Sequence, residues 1–94
     1  MLNLKKIGNV TYKQIDIMKH TIGFNRGRIR GTKYRRYAPY RNYFNAGPTD
    51  IVDIEDLVEI GLIEEYRKNW FEVTDDGKEF LRLVTGVTIL EDET

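Results

Sequence analysis

The C-terminal half of the chain carries the pattern that most constrains the fold, a β-hairpin between two helices. After Gly61, a short apolar run is followed by a polar turn and then by the aromatic and β-branched residues of a returning strand. Thr74 is placed to cap a helix, and the two aspartates that follow it suit the positive end of a helix dipole. The pattern predicts an antiparallel hairpin over residues 62–73, with helices near 50–60 and 75–84.

Another helix is predicted near the N-terminus, where Thr11 and Gln14 form a capping box and Gly23 marks the end. Its expected apolar face consists of Tyr12, Ile15, Met18 and Ile22. In the helix near 50–60, the expected apolar face is Ile51, Ile54, Leu57 and Val58, and the acids expected to face outward are Asp53, Asp56 and Glu59. A short strand is predicted over residues 87–90. We expect one core to hold Ile15, Leu57, Trp70, Phe71 and Leu81.

Length and composition indicate a single domain, residues 1–94, that ends in an acidic tail, residues 91–94. The chain has 94 residues, of which 40% are hydrophobic and 32% charged, as is ordinary for a globular protein. It has no cysteine, which excludes disulfides and thiolate metal sites and favours a cytoplasmic location. The first residues are too polar for a signal peptide, and no apolar run approaches the length of a membrane span, so no membrane partner is expected.

The net charge of zero conceals a strong asymmetry along the chain. Residues 1–49 contain eleven lysines and arginines and one acid, whereas residues 50–94 contain four lysines and arginines and fourteen acids. Such a split favours contact between the basic part and a polyanion, but the two parts can equally neutralise each other within the fold or between copies.

Residues 26–44, here called the basic loop, concentrate the positive charge together with tyrosines. Glycines and Pro39 disfavour a continuous helix, so we expect a long loop with short ordered pieces. Its tyrosines recur every third residue, which would align them along an extended or 3₁₀ path. The candidate nucleic-acid-binding residues are Arg28, Arg30, Lys33, Tyr34, Arg35, Arg36, Tyr37, Tyr40, Arg41 and Tyr43.

Three interpretations fit this composition. Rings on which bases stack and guanidinium groups that pair with phosphates are what single-stranded DNA or RNA requires. Alternatively, the tyrosines pack the loop onto the core while the arginines pair with the acidic helix. A surface for a protein partner or a second copy of the chain would have the same enrichment in tyrosine and arginine.

The succession of helix, hairpin and capped helix resembles the second half of a winged-helix domain. The residues that carry the resemblance are Leu57, Gly61, Leu62, Ile63, Val73, Thr74 and Gly77. With the segments HTIGF (20–24) and YRNYFNAG (40–47), the chain also resembles small proteins encoded by bacteriophages and prophages of Gram-positive bacteria, which implies the cytoplasm of a bacterial host. The expected fold is therefore a small α+β, winged-helix-like domain with a long basic loop.

The resemblance does not extend to DNA groove recognition. In DNA-binding winged helices the helix before the wing enters the major groove, but here residues 50–65 hold seven acids and no base, so phosphates would repel them. The motifs of metalloproteases, EF-hands, P-loops and nucleophile elbows are missing, and the only histidine, His20, lies at a predicted helix end. The sequence thus predicts a phage or prophage binding module without catalysis, cofactor or metal. Its expected partner is single-stranded nucleic acid or, alternatively, a protein or another copy in an adaptor or assembly.

Overall fold

The computed structural model describes residues 7–91 as a small α+β unit. Its helices are α1 (Tyr12–Thr21), α2 (Ile51–Glu59) and α3 (Asp75–Thr85), and a 3₁₀ turn spans Arg26–Arg28. Its strands are β1 (Arg36–Tyr37), β2 (Phe44–Asn45), β3 (Ile63–Arg67), β4 (Trp70–Val73) and β5 (Thr88–Ile89). The predicted hairpin is confirmed as β3 and β4.

Two sheets organise the strands. The larger sheet is antiparallel with the order β2-β4-β3, so the end of the basic loop pairs with the hairpin. In the smaller sheet β1 and β5 run parallel, with Arg36 opposite Thr88 and Tyr37 opposite Ile89. The predicted C-terminal strand is therefore present, and its partner is a piece of the basic loop.

Side chains at the N-terminal ends of α1 and α3 explain where these helices begin. Thr11 and Gln14 form the expected capping box, in which the Thr11 hydroxyl accepts from the Gln14 amide at 3.1 Å and the Gln14 side chain accepts from the Thr11 amide at 2.9 Å. The Thr74 hydroxyl accepts from the Gly77 amide at 3.0 Å. These bonds satisfy amides that the first turn of a helix leaves without an intrahelical partner.

One hydrophobic core joins all the helices and both sheets. The fully or largely buried apolar residues are Ile17, Met18, Ile22, Tyr37, Ile54, Leu57, Leu62, Ile63, Phe71, Val73, Phe80, Leu81, Val87 and Ile89. The expected core positions Leu57, Phe71 and Leu81 are confirmed. Ile15 is only partly buried against this core, and the prediction was wrong for Trp70, which is half-buried outside it.

The predicted apolar face of α1 was wrong at one position. Tyr12 is 88% exposed, and Ile17 lies in the core instead. In the first turn of the helix it is Gln14 that faces the interior, where its side chain also donates to the Asp53 carbonyl of α2 at 3.2 Å. Gln14, which has a partly buried hydrogen-bond partner, thus takes the interior position that the apolar spacing had predicted for Tyr12.

The predicted faces of α2 were wrong for Val58 and Asp53. Ile54 and Leu57 are buried and Asp56 and Glu59 are exposed, as expected, but Val58 is exposed at the edge of the apolar face. Asp53 is half-buried rather than directed outward, because Lys13 of α1 lies beside it. Among the described residues, 7–91, no helix is long and apolar enough to cross a membrane.

Candidate nucleic-acid interface

The basic loop is fastened to the C-terminal end of α1 and to the residues just after it by hydrogen bonds to backbone carbonyls. The last carbonyls of an α-helix lack intrahelical partners, and a cation is favourable beside them because of the helix dipole. The loop supplies both a cation and neutral donors. The Tyr37 hydroxyl donates to the Gly23 carbonyl, an Arg41 terminal nitrogen to His20 at 2.6 Å, and the Tyr43 amide to Thr21 at 3.1 Å.

Asn42 fastens the loop to β4. Its side chain donates to the Val73 carbonyl at 3.0 Å and accepts from the Val73 amide at 2.8 Å. Asn42 precedes Phe44 by two residues and Val73 follows Phe71 by two, so this contact continues the antiparallel register in which Phe44 faces Phe71. The side-chain amide therefore replaces a backbone pair and holds Arg41 and Tyr43, on either side of it, at a defined position.

The tyrosines of the basic loop separate into one core residue and three surface residues. Tyr37 is 0% exposed, whereas Tyr34, Tyr40 and Tyr43 are 78%, 46% and 46% exposed. Side chains alternate between the two faces of a strand, and in β1 Arg36 points outward while Tyr37 points into the core. The expected stripe of four aligned rings is thus not formed, because Tyr37 is a core residue rather than a stacking surface.

Two of the exposed tyrosines belong to an array of alternating guanidinium groups and rings. The Arg28 guanidinium carbon lies 5.0 Å from the Tyr40 ring centroid, and that of Arg41 lies 5.6 Å from the centroids of both Tyr40 and Tyr43. The Tyr43 ring centroid is in turn 6.0 Å from that of Trp70. These distances are within the range of cation–π and aromatic contacts. We call this set the stacking array: Arg28, Tyr40, Arg41, Tyr43 and Trp70.

Trp70 is the member of the stacking array that sequence reasoning did not assign to the site. It belongs to β4, and the pairing of Asn45 with Trp70 brings it beside the end of the basic loop. The amino-acid sequence contained one usable signal, because a tryptophan in a predicted wing next to a polar turn is well placed to remain partly exposed. The pairing of β2 with β4 was the information needed to connect it with Tyr43.

Most of the other basic residues of the loop line two small clefts. One cleft, of about 220 Å³, is lined by Arg28, Arg30 and Arg36 together with Gly27, Ile29, Ala38 and Leu90. Another, of about 200 Å³, is lined by Lys19, Arg26 and Arg35 together with Phe24, Ile29, Val84, Thr85 and Val87. Neither lining contains a carboxylate. Lys33 and Tyr34 are exposed in the bend between Arg30 and Arg36, and they belong to neither lining.

Within residues 7–91, no cation of the basic loop lies within ion-pair distance of a carboxylate. The acidic helix α2 forms ion pairs with Lys13 of α1 instead. The Lys13 ammonium nitrogen lies 2.9 Å from Asp53 and 3.9 Å from Asp50. The hydrogen bond that Lys13 donates to Asp53 raises the pKa of the lysine above its usual range. The internal pairing of loop arginines with α2 is therefore not formed in this part of the chain.

The Arg41 guanidinium has no carboxylate partner among residues 7–91. Its Nε is buried without an acceptor among the described residues, and a terminal nitrogen donates to the His20 carbonyl. The guanidinium is held by rings and a helix end rather than by a carboxylate, so its positive charge is left to attract an anion.

Negative charge is concentrated elsewhere. Glu55, Asp56 and Glu59 of α2 are exposed. A pocket of about 460 Å³ is lined by Asn42, Glu64, Glu72, Val73, Thr74, Asp75, Asp76 and Lys78. Across residues 7–91, no group of three or more His, Cys, Asp or Glu side chains is arranged to hold a metal ion. These acidic surfaces would repel a phosphate, so the basic loop is the surface of the described chain that suits an anion.

Comparison with known proteins identified no matching family model, no similar curated protein and no similar solved structure.

Proposed function

We propose that the chain is a non-catalytic module that binds single-stranded nucleic acid through the basic loop. The observation that carries this proposal is the stacking array, in which guanidinium groups without carboxylate partners in residues 7–91 alternate with half-exposed rings. Bases stack on aromatic rings and on guanidinium planes, while the same guanidinium groups attract phosphates. An array fixed at two sides, to α1 and to β4, presents these groups with little loss of side-chain entropy on binding.

A single strand suits this surface better than a duplex. A base contributes about 1 to 3 kcal/mol when it stacks on an aromatic side chain, and only an unpaired base has a free face to offer. The helix that precedes the hairpin carries exposed acids, so insertion of α2 into a groove would bring carboxylates against phosphates. The array therefore favours recognition of unpaired nucleotides without groove insertion.

The same proposal includes a winged-helix-like fold and an origin in a bacteriophage or prophage, acting in the bacterial cytoplasm. The order α2, hairpin, α3 and the attachment of β2 to the returning strand of the hairpin support the fold. A winged-helix fold predicts that β3 and β4 keep their pairing when the exposed arginines of the basic loop are replaced, since these side chains lie outside the core.

The test is a titration of fluorescently labelled oligonucleotides, single-stranded and duplex, followed by anisotropy at several salt concentrations. When Arg35, Arg36 and Arg41 are replaced together with glutamine, the salt dependence should flatten by roughly 0.7 for each phosphate of a single strand that is no longer neutralised. Replacing Tyr40 with alanine should weaken binding with little change in slope, because stacking releases few counterions.

Arg82→Gln is the matched control. It removes the same kind of charge from α3, where Arg82 pairs with Glu79 rather than with a member of the stacking array. If Arg82→Gln and the loop variant changed oligonucleotide binding equally for each charge removed, binding would depend on net charge alone. No binding below about 100 μM at low salt would refute the proposal, because non-specific binders typically reach 10⁻⁴ to 10⁻⁶ M, roughly, even at physiological salt.

A second candidate function is assembly through the opposed charges. The observation in its favour is that the exposed acids of α2, Glu55, Asp56 and Glu59, have no cation partner among the described residues, and the loop arginines have no carboxylate partner there. Two copies of the chain, or the chain and another protein, can bring these surfaces together. The mass in solution, measured by light scattering across the same salt range, distinguishes the two functions, since salt weakens a charge-driven assembly.

A further inference from the structure

A small, open pocket lies at the Trp70 end of the stacking array and combines aromatic rings with polar side chains. It measures about 250 Å³, below the roughly 300 Å³ at which pockets for drug-sized ligands begin. Its lining consists of His20, Arg41, Tyr43, Phe44, Asn45 and Trp70. We propose that this pocket receives one unstacked base of the bound strand, an inference that rests on the proposed function.

Aromatic rings form the walls. The Tyr43 and Trp70 ring planes meet at 55° with their centroids 6.0 Å apart, and the His20 ring stands edge-on to Phe44 at 5.9 Å. The pocket is therefore lined by rings from three separate segments, the end of α1, the end of the basic loop and the hairpin. A flat aromatic base gains most from such walls because each of its faces offers a π-surface.

Polar groups at the same pocket provide the means to recognise a base edge. The Asn45 side-chain amide offers one acceptor and two donors, and the His20 ring offers two nitrogens. Within residues 7–91, neither side chain makes a hydrogen bond, so both sets of groups are free for a ligand. Hydrogen bonds of this kind to the edges of splayed bases are how proteins distinguish one nucleotide from another in single strands.

Arg41 links this pocket to the rest of the array. Its guanidinium carbon lies 5.6 Å from the Tyr43 centroid on one side and 5.6 Å from the Tyr40 centroid on the other. A strand whose base enters the pocket would pass its next phosphate beside Arg41 and continue toward Tyr40 and Arg28. The pocket therefore acts as an anchor for one nucleotide, and the array accepts its neighbours with less selectivity.

The chain contains a single tryptophan, so tryptophan fluorescence reports on the Trp70 end of the stacking array, where this pocket lies. Oligonucleotides of one length that contain only thymine, adenine or cytosine are titrated into the whole protein at low salt. Labelled-strand anisotropy and tryptophan emission are measured in parallel. An oligonucleotide of the same length with abasic sites is the matched ligand, since it keeps the phosphates and lacks the bases.

We expect the base-containing strands to quench Trp70 emission saturably and to differ from each other several-fold in affinity. The abasic strand should bind more weakly and leave the emission unchanged. Asn45→Ala should reduce the differences between the homopolymers, and because Asn45 is exposed it should leave the fold intact. Trp70→Ala should weaken binding of base-containing strands by about 5- to 150-fold, the loss expected for one stacked base.

Binding by anisotropy without any change in Trp70 emission would overturn the pocket and leave the proposed function standing. Equal quenching by the abasic strand, or homopolymer differences unaffected by Asn45→Ala, would also overturn it. If no strand binds, both the pocket and the proposed function fail. Circular dichroism of both variants checks that weaker binding does not arise from unfolding.

Discussion

Gly77, in the first turn of α3, is a position where helix propensity and packing predict opposite signs for substitution by alanine. In an exposed helix interior, alanine is more favourable than glycine by about 1 kcal/mol. Here a Cβ added to Gly77 would lie 2.1 Å from the carbonyl oxygen of Leu62 and 2.6 Å from a methyl carbon of Val73. Gly77 does not adopt a positive φ, so the space available rather than the backbone conformation requires glycine.

The size of the destabilisation depends on how far the backbone around Leu62 can move to make room for the added methyl group. The Leu62 oxygen belongs to the backbone where the hairpin begins, and it accepts a hydrogen bond from the Thr74 amide at 3.1 Å, so it cannot withdraw without loosening that bond. Inserting a methyl group into a tightly packed site costs about 1 to 3 kcal/mol, and a hydrogen bond contributes about 0.5 to 1.5 kcal/mol. After the helix propensity gain is subtracted, Gly77→Ala should destabilise the fold by about 1 to 3 kcal/mol.

Thermal unfolding followed by circular dichroism measures this effect. For a domain of this size, 1 kcal/mol corresponds to about 4 to 8 °C in Tm. Gly47→Ala is the control, because its added Cβ would meet only the Asp50 carboxylate at 3.9 Å and its φ is not positive. That variant should be neutral or stabilised by up to about 1 kcal/mol. A Gly77→Ala protein as stable as the wild type would refute the close seating of α3 on the hairpin.

Three further predictions test the loop and the helix surface. Asn42→Ala should destabilise the protein by about 1 to 3 kcal/mol in chemical unfolding, because it leaves the backbone amide and carbonyl of Val73 without the Asn42 partner. Oligonucleotide affinity should fall as well. Unchanged stability and affinity would contradict the pairing of Asn42 with Val73. Tyr37→Phe keeps the buried ring but removes the donor to Gly23, so a decrease of about 1 to 3 kcal/mol in the free energy of unfolding is expected, and no decrease would place the hydroxyl in contact with solvent. The hydrogen bond from Arg82 lowers the pKa of Glu79 in the folded protein. The stability that this ion pair contributes is therefore present above the unfolded pKa of about 4.3 and is lost as the pH falls through the lower folded pKa. The small difference in Tm between Glu79→Gln and the wild type should accordingly be measurable at neutral pH and vanish in acid.

The parts of the fold that could be predicted from the sequence are those specified by neighbouring residues. The capping box at Thr11, the cap at Thr74 and the succession of apolar run, polar turn and aromatic return in the hairpin are local signals, and each element formed where these signals placed it. The pairing of β1 with β5 could not be predicted, because strands of two residues have no measurable periodicity and the partners lie far apart in the chain. Packing of loop tyrosines onto the core was one interpretation of the sequence, but the choice of Tyr37 could not be predicted, since only the strand pairing decides which residues of the loop point inward.

The candidate site was predictable in composition but not in arrangement. The excess of arginine and tyrosine in the basic loop was visible in the sequence, but the contacts among Arg28, Tyr40, Arg41 and Tyr43 were not. Trp70 joined them through the pairing of β2 with β4, which sequence spacing does not encode. The Asn42 contact was likewise hidden, because a side chain that replaces a backbone pair leaves no pattern in the surrounding residues.

If the basic loop binds a single strand as proposed, the zero net charge of the chain makes that binding depend on local contacts. At physiological ionic strength, charges are screened beyond about 8 Å, so an approaching strand responds to the nearest surface rather than to the whole molecule. The acids of α2 and of the pocket beside Thr74 repel the strand over one part of that surface, while the loop attracts it over another. Without a general electrostatic attraction to hold it, a strand depends on the few phosphates and bases that the stacking array contacts. Under the proposed function, binding therefore requires the array to be assembled, and it depends on the hydrogen bonds to α1 and from Asn42 that hold the array in place.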